Sequence, residues 1–126
     1  MINIIVVDDD ITNVSLLQML LELDGYHVDA CTNIEQAIAA ATADTRIFLV
    51  DWHLERNISG LDLLQAVRNG QTNAPADTAI IITSGDHRRK EEALRNGANN
   101  FLLKPYSTNK LSEAITNILN TEDGRG

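Results

Sequence analysis

Ile47-Phe48-Leu49-Val50-Asp51-Trp52-His53 is the stretch that decides the fold. Four apolar residues run without a break into an aspartate. A short continuous apolar run reads as a strand buried on both faces, the pattern of a parallel sheet between two helical layers. Asp51 then stands where the strand leaves the core, at the carboxyl edge where open parallel sheets bind their ligands. A second run, Ile4-Ile5-Val6-Val7, ends the same way, in Asp8-Asp9-Asp10. Two strands that deliver several carboxylates to one edge point to a metal site.

Outward from this stretch the chain alternates. Asn3 to Val7 is a strand, and Ile11 to Leu23 carries a helical stripe of Val14, Leu17, Leu20 and Leu21. Asp9 or Asp10 caps its start, and Asp24-Gly25 ends it. Tyr26 to Ala30 reads as a second strand. Thr32-Asn33-Ile34-Glu35 has the spacing of a capping box and opens an alanine-rich helix that runs to about Ala43. Beyond Asp51 a loop from Trp52 leads to Ser59-Gly60-Leu61-Asp62, which starts a third helix ending at Asn69-Gly70. Thr78 to Thr83 is a fourth strand, and His87 to Asn96 a charged fourth helix closed by Gly97. Phe101-Leu102-Leu103 is the fifth strand, followed by a Lys104-Pro105 turn. Ser107 caps a fifth helix with Leu111, Ala114, Ile115, Ile118 and Leu119 on one face. Strands and helices in this order predict right-handed βαβ units and a doubly wound α/β fold. Residues 1–120 form one domain, and Thr121 to Gly126 read as a polar tail.

A length of 126 residues suffices for one domain with a full core. The net charge of −8 argues against non-specific nucleic-acid binding, which needs clustered Lys and Arg. No apolar run approaches the roughly 18 residues of a membrane span, and no basic, signal-like segment leads the chain. Cys31 is the only cysteine, so an internal disulfide is excluded and a cytoplasmic setting is expected.

Four marks at strand ends make the chain resemble the receiver domain of two-component response regulators over Ile2 to Leu119. They are Asp8-Asp9, Asp51, Ser84 and Lys104-Pro105, in that order. The resemblance implies a flavodoxin-like (βα)5 sheet with strand order 2-1-3-4-5. It implies that Asp51 accepts a phosphoryl group from a sensor histidine kinase or a phosphotransfer protein. Residue chemistry agrees, because a carboxylate is a poor nucleophile until a hard cation offsets the charge building around it. Mg²⁺ is the expected cofactor, with Mn²⁺ or Ca²⁺ able to substitute. Asp9, Asp51 and the backbone carbonyl of His53 are the expected ligands, with Asp8 acting through a water or positioning Asp9. Lys104 is expected to pair with Asp51 and then with a phosphoryl oxygen, and Pro105 to follow a cis bond. Ser84 offers a hydroxyl to the phosphoryl group and couples it to Phe101. An output partner is expected on the face of helix four, strand five and helix five. The chain itself is expected to be a monomer or weak homodimer with no contact to nucleic acid or membrane. It is expected to be no enzyme beyond its own phosphotransfer and dephosphorylation.

Several residues depart from the family's common form. Thr83 is a second hydroxyl beside Ser84, Glu55 stands where proline is frequent, and Phe101 replaces a commoner tyrosine. The loop from Asp51 to Gly60 reads about one residue long. Simpler roles also stand: Asp10 as a helix cap, His53 as a rim side chain, and His87-Arg88-Arg89-Lys90 as a solvated helix start. Two other functions compete. A Mg²⁺-dependent phosphohydrolase of the haloacid-dehalogenase kind would want an aspartate where His53 stands. A binding module, either a degenerate receiver or a flavodoxin-like one, would make no phosphoaspartate; the flavodoxin-like kind wants a Ser-, Thr- and Gly-rich first loop in place of three aspartates.

Overall fold

The structure is a computed structural model and describes residues 1–124. Five strands alternate with five helices: β1 (Asn3–Val7), α1 (Ile11–Leu23), β2 (His27–Cys31), α2 (Ile34–Ala40), β3 (Thr45–Asp51), α3 (Gly60–Arg68), β4 (Ala79–Ser84), α4 (Arg89–Arg95), β5 (Asn100–Leu103) and α5 (Thr108–Gly124). The strands form one parallel sheet in the order β2-β1-β3-β4-β5, as expected.

β3 lies at the centre because Ile47 to Val50 are apolar on both faces. Phe48 and Val50 face one layer, with Ile5, Ile80, Ile82 and Phe101 from the sheet. Ala37, Leu63, Leu64, Val67 and Ala93 cover them from α2, α3 and α4. Ile47 and Leu49 face the other layer, where Val14, Leu17 and Leu21 of α1 meet Leu111, Ala114 and Ile115 of α5. Burying each of these larger side chains contributes about 1.5–3 kcal/mol. Together they fix the register that brings both acidic strand ends to one edge.

Local boundaries follow from capping chemistry. Asp10 caps α1, its carboxylate accepting from the backbone N–H of Asn13. The cap of α2 is Asn33, one residue later than the Thr32 box predicts. Its side chain accepts from Gln36 N at 2.8 Å, and the Gln36 amide oxygen accepts in return from Thr32 N at 2.8 Å. α2 stops at Ala40 because the backbone turns extended at Ala41, whose side chain enters the core. Ser59 and Asp62 form the reciprocal capping box at α3. α4 starts only at Arg89, and no side chain caps it. α5 continues to Gly124, through residues whose sequence reads as a polar tail. Arg125 and Gly126 of that tail lie outside the described residues.

At the edge of the sheet away from the acidic strand ends, Arg68 closes the end of α3. Its Nη1 donates to the carbonyls of Ala76 and Thr78, both at 2.7 Å. Its Nε and Nη2 donate to Gly97 O, and Nη2 also to Asn99 Oδ1. One guanidinium thus ties α3 to the approach to β4 and to the turn between α4 and β5.

Candidate functional site

The acidic edge is assembled by β1, β3 and β5. Asp8 follows the last residue of β1, and Asp51 is the last residue of β3. Carboxylate oxygens of Asp8, Asp9 and Asp51 all lie within 4.8 Å of one another. Asp51 is only 9% exposed, so little water screens it. Its Oδ2 accepts from Lys104 Nζ at 2.9 Å, and its Oδ1 from the backbone N–H of His53 at 3.3 Å. Lys104 Nζ is also 3.9 Å from Asp8 Oδ2. Burial pushes the Asp51 carboxyl above its ordinary value. The hydrogen bond and charge of Lys104 oppose that push, the negative charge of Asp8 adds to it, and His53 N–H opposes it weakly.

Asp8 is held from two sides, by Asp10 N at 2.9 Å on Oδ1 and by the Asn13 side-chain amide on Oδ2. Asn13 is a support that the sequence did not single out; its place three residues into the helix after the aspartates is the signal that could have found it. The phenol of Tyr106 is pushed up to about 12 by burial and by the charges of Asp8 and Asp51, so it stays protonated beside them.

The loop after Asp51 is a small hairpin. Trp52 N donates to Thr83 O at 2.8 Å, and Gly60 N donates to Trp52 O at 2.8 Å. Leu54 N reaches Ile58 O at 3.0 Å, and His53 bridges Ser59 in antiparallel fashion. This pairing runs through the carbonyls of Trp52 and Ile58 and leaves that of His53 out of it. The tip is closed by Ile58 N on Glu55 O, with Arg56 and Asn57 both at positive φ, 61° and 59°. That is the geometry of a type I′ turn. Glu55, at the base of this tip, is exposed. Gly60 packs so close that a Cβ there would meet the Asp51 carbonyl oxygen at 2.5 Å. A glycine at the first position of a helix, where it is a poor helix former, is the sequence signal for such an approach.

Ser84 is fully buried at the end of β4, and its Oγ accepts from Asp86 N at 3.0 Å. Its carbonyl accepts from Lys104 N at 2.8 Å, so β4 and the lysine share one rigid strand end. Thr83 is also buried, but its carbonyl holds Trp52. The Lys104–Pro105 peptide is cis. Phe101 sits in β5, paired in register with Ile82 and buried on the side of α4. The basic run at α4 is not a free positive patch. Arg88 binds Asp86 through two bonds of 2.9 Å, which holds that carboxyl below its usual range, and Arg89 lies over the Trp52 ring.

The donor set is entirely oxygen, and it converges with Lys104 on one buried carboxylate. Such a site fits a hard divalent cation and a phosphoryl group, not a soft metal. No helix among the described residues is long and apolar enough to cross a membrane.

Known proteins agree with this geometry. Chemotaxis protein CheY1 of Helicobacter pylori is 30% identical over 125 residues, covering 95% of this chain and 98% of its own. A response regulator receiver domain protein of Clostridium thermocellum superposes with a TM-score of 0.87 at 25% identity, over the whole of both chains. The regulator TrrA of Thermotoga maritima, solved in complex with Mg²⁺-BeF, superposes at 0.78 with 23% identity over 94% of this chain and 99% of its own. The response regulator receiver domain profile matches residues 4–116, and the chain belongs to that family, a phosphoryl-accepting switch of two-component signalling.

Proposed function

We propose that Asp51 takes the phosphoryl group from the phosphohistidine of a sensor histidine kinase or phosphotransfer protein, and that an output partner reads the change on the face of α4, β5 and α5. The observation that carries this reading is the buried Asp51 carboxylate, clustered with Asp8 and Asp9 and bonded to Lys104 at 2.9 Å. An Asp51 oxygen attacks phosphorus. A P–O bond forms, the P–N bond to the donor imidazole breaks, and the imidazole leaves with the electron pair and takes up a proton.

Asp9, Asp51 and the His53 carbonyl, with Asp8 behind them, would hold Mg²⁺, or Mn²⁺ or Ca²⁺ in its place. Bound there, the ion would offset the negative charge of the phosphoryl oxygens. Lys104 holds Asp51 at rest and pairs with a phosphoryl oxygen afterwards. The Ser84 O–H donates to another phosphoryl oxygen, and the turn after β4 follows it inward. Phe101 then changes its packing under α4, which biases a two-state face by one covalent charge change. Water attack on phosphorus breaks the P–O bond to Asp51 and restores the carboxylate, so the chain turns over only its own phosphoryl group. A largely apolar groove between α1 and the β5–α5 turn, walled by Leu16, Leu20, Pro105 and Tyr106, shares Lys104 with the site and gives the donor a place to lie. The setting is the cytoplasm, and the switch works as a monomer or weak homodimer.

The test is to add Mg²⁺ and then acetyl phosphate, following intact mass, with Asp51→Asn as control. A phosphoryl adduct that decays slowly in the wild type and is absent from the variant is expected. Mg²⁺ binding with no adduct, or phosphate release faster than adduct decay, would overturn the reading.

A further inference from the structure

Trp52 follows the phosphoacceptor, is 6% exposed, and is held by both of its backbone groups, its N–H donating to Thr83 O of β4 and its carbonyl accepting from Gly60 N of α3. Its ring is covered from α4. The Arg89 guanidinium lies 5.4 Å from the ring centroid. The same guanidinium is 3.8 Å from Asp86 Oδ2 and 3.6 Å from Glu92 Oε1, both longer than hydrogen bonds. Its Nε is shielded from solvent and has no hydrogen-bond partner. A planar cation resting on an aromatic face, with its best donor unused, is held loosely and can be released at low cost.

The other end of this contact leads back to Ser84. Ser84 Oγ accepts from Asp86 N, and the Asp86 carbonyl accepts from Arg89 N at 3.1 Å. Any inward movement of the Ser84-Gly85-Asp86 turn therefore moves the backbone of Arg89. Trp52 does not follow, because its bonds go to Thr83, which precedes the turn in β4, and to Gly60 at the start of α3. The two partners of the stack thus sit on opposite sides of the segment that must move.

We propose that Arg89 is a strap that holds α4 against Trp52 while Asp51 is unphosphorylated and lets go when the turn after β4 closes on the phosphoryl group. It rests on the roles given above to Asp51 and Ser84, and it adds a positioning residue that touches neither phosphate nor metal. The strap biases the switch toward rest. Weakening it shifts the population toward the phosphorylation-competent form by about two- to five-fold, the equilibrium worth of a partly exposed cation–π contact.

The experiment uses the full chain as wild type, Arg89→Gln and Arg89→Lys, each with Mg²⁺ and acetyl phosphate. Acrylamide quenching of Trp52 reads the strap, intact mass reads the adduct, and a thermal melt reads the fold. Wild-type Trp52 is expected to become more quenchable as adduct forms. Arg89→Gln is expected to show that quenchability before any donor is added, and to phosphorylate about two- to five-fold faster at an unchanged midpoint. Arg89→Lys keeps the charge without the planar face and falls between them. If the adduct forms but Trp52 quenching does not change, or if Arg89→Gln matches wild type in quenching and rate, the strap is overturned and the Asp51 reading survives. A lowered midpoint with an unaltered rate would make Arg89 a structural residue only and also overturns it. Absence of any wild-type adduct overturns both.

Discussion

Replacing Asp51 with asparagine should make the metal-free protein more stable, although it removes an ion pair. Asp8 and Asp9 each place an oxygen within 4.8 Å of Asp51. At an effective dielectric of about 20, each opposes the Asp51 charge by about 3–4 kcal/mol. Lys104 at 2.9 Å offers about 6 kcal/mol in return, before the screening that its contact with solvent brings. Burial of the carboxylate adds to the unfavourable side. The balance favours the neutral side chain by about 1–2 kcal/mol.

Linkage gives the same sign. The folded value of Asp51 is raised above its unfolded one, so its contribution to stability is full below the unfolded value and is lost as pH rises through the folded value. Asparagine copies the protonated form at every pH. Urea unfolding followed by circular dichroism at neutral pH, with a chelator present, should therefore place the Asp51→Asn midpoint above wild type. Near pH 3 the two should converge. Mg²⁺ at about 100 times its Kd should add about 2.7 kcal/mol to wild type and much less to the variant. A less stable metal-free variant, or an equal Mg²⁺ increment in both proteins, would refute the reasoning.

Three further outcomes are expected. Gly60→Ala puts a methyl 2.5 Å from the Asp51 carbonyl oxygen and should cost about 1–3 kcal/mol in a thermal melt while slowing phosphorylation of the displaced Asp51. The double change Arg56→Asn, Asn57→Gly supplies the residues that a type I′ turn favours and should raise stability by about 1 kcal/mol, measured by urea unfolding. Arg68→Met leaves the carbonyls of Ala76, Thr78 and Gly97 without their donor and should cost about 2–3 kcal/mol, with the same unfolding slope.

The alternating architecture and the acidic edge were legible because they rest on local signals, whereas the strand order came only with the resemblance to receiver domains. Continuous apolar strands, an alternation with amphipathic helices and aspartates at two strand ends are all visible within windows of ten residues. Helix caps were legible where one side chain decides them, as at Ser59 and Asp10. They slipped by a residue at Thr32, where Asn33 is the better acceptor and Gln36 reaches back as well as Glu35 would. The hairpin after Asp51 was hidden because Arg56 and Asn57 carry no glycine to announce a left-handed turn. Arg68 and Arg89 were hidden for another reason. Each acts on groups far along the chain, and an arginine in a charged helix looks the same whether it faces solvent, a ring or a set of carbonyls.

The bonds of Arg68 also decide how α4 can move. Its far end is pinned, since Gly97 O accepts from Arg68 and Ala98 N donates to Ala93 O. Its near end has no side-chain cap and hangs on the turn after Ser84. A rod fixed at one end pivots. With seven residues at about 1.5 Å each the lever arm is about 10 Å, so a tilt of about 10° sweeps Arg89 through about 2 Å and leaves Gly97 in place. With the turn after Ser84 closing as proposed, the signal would run as a gradient along one short helix, largest beside Asp51 and fading to nothing at the floor of the sheet.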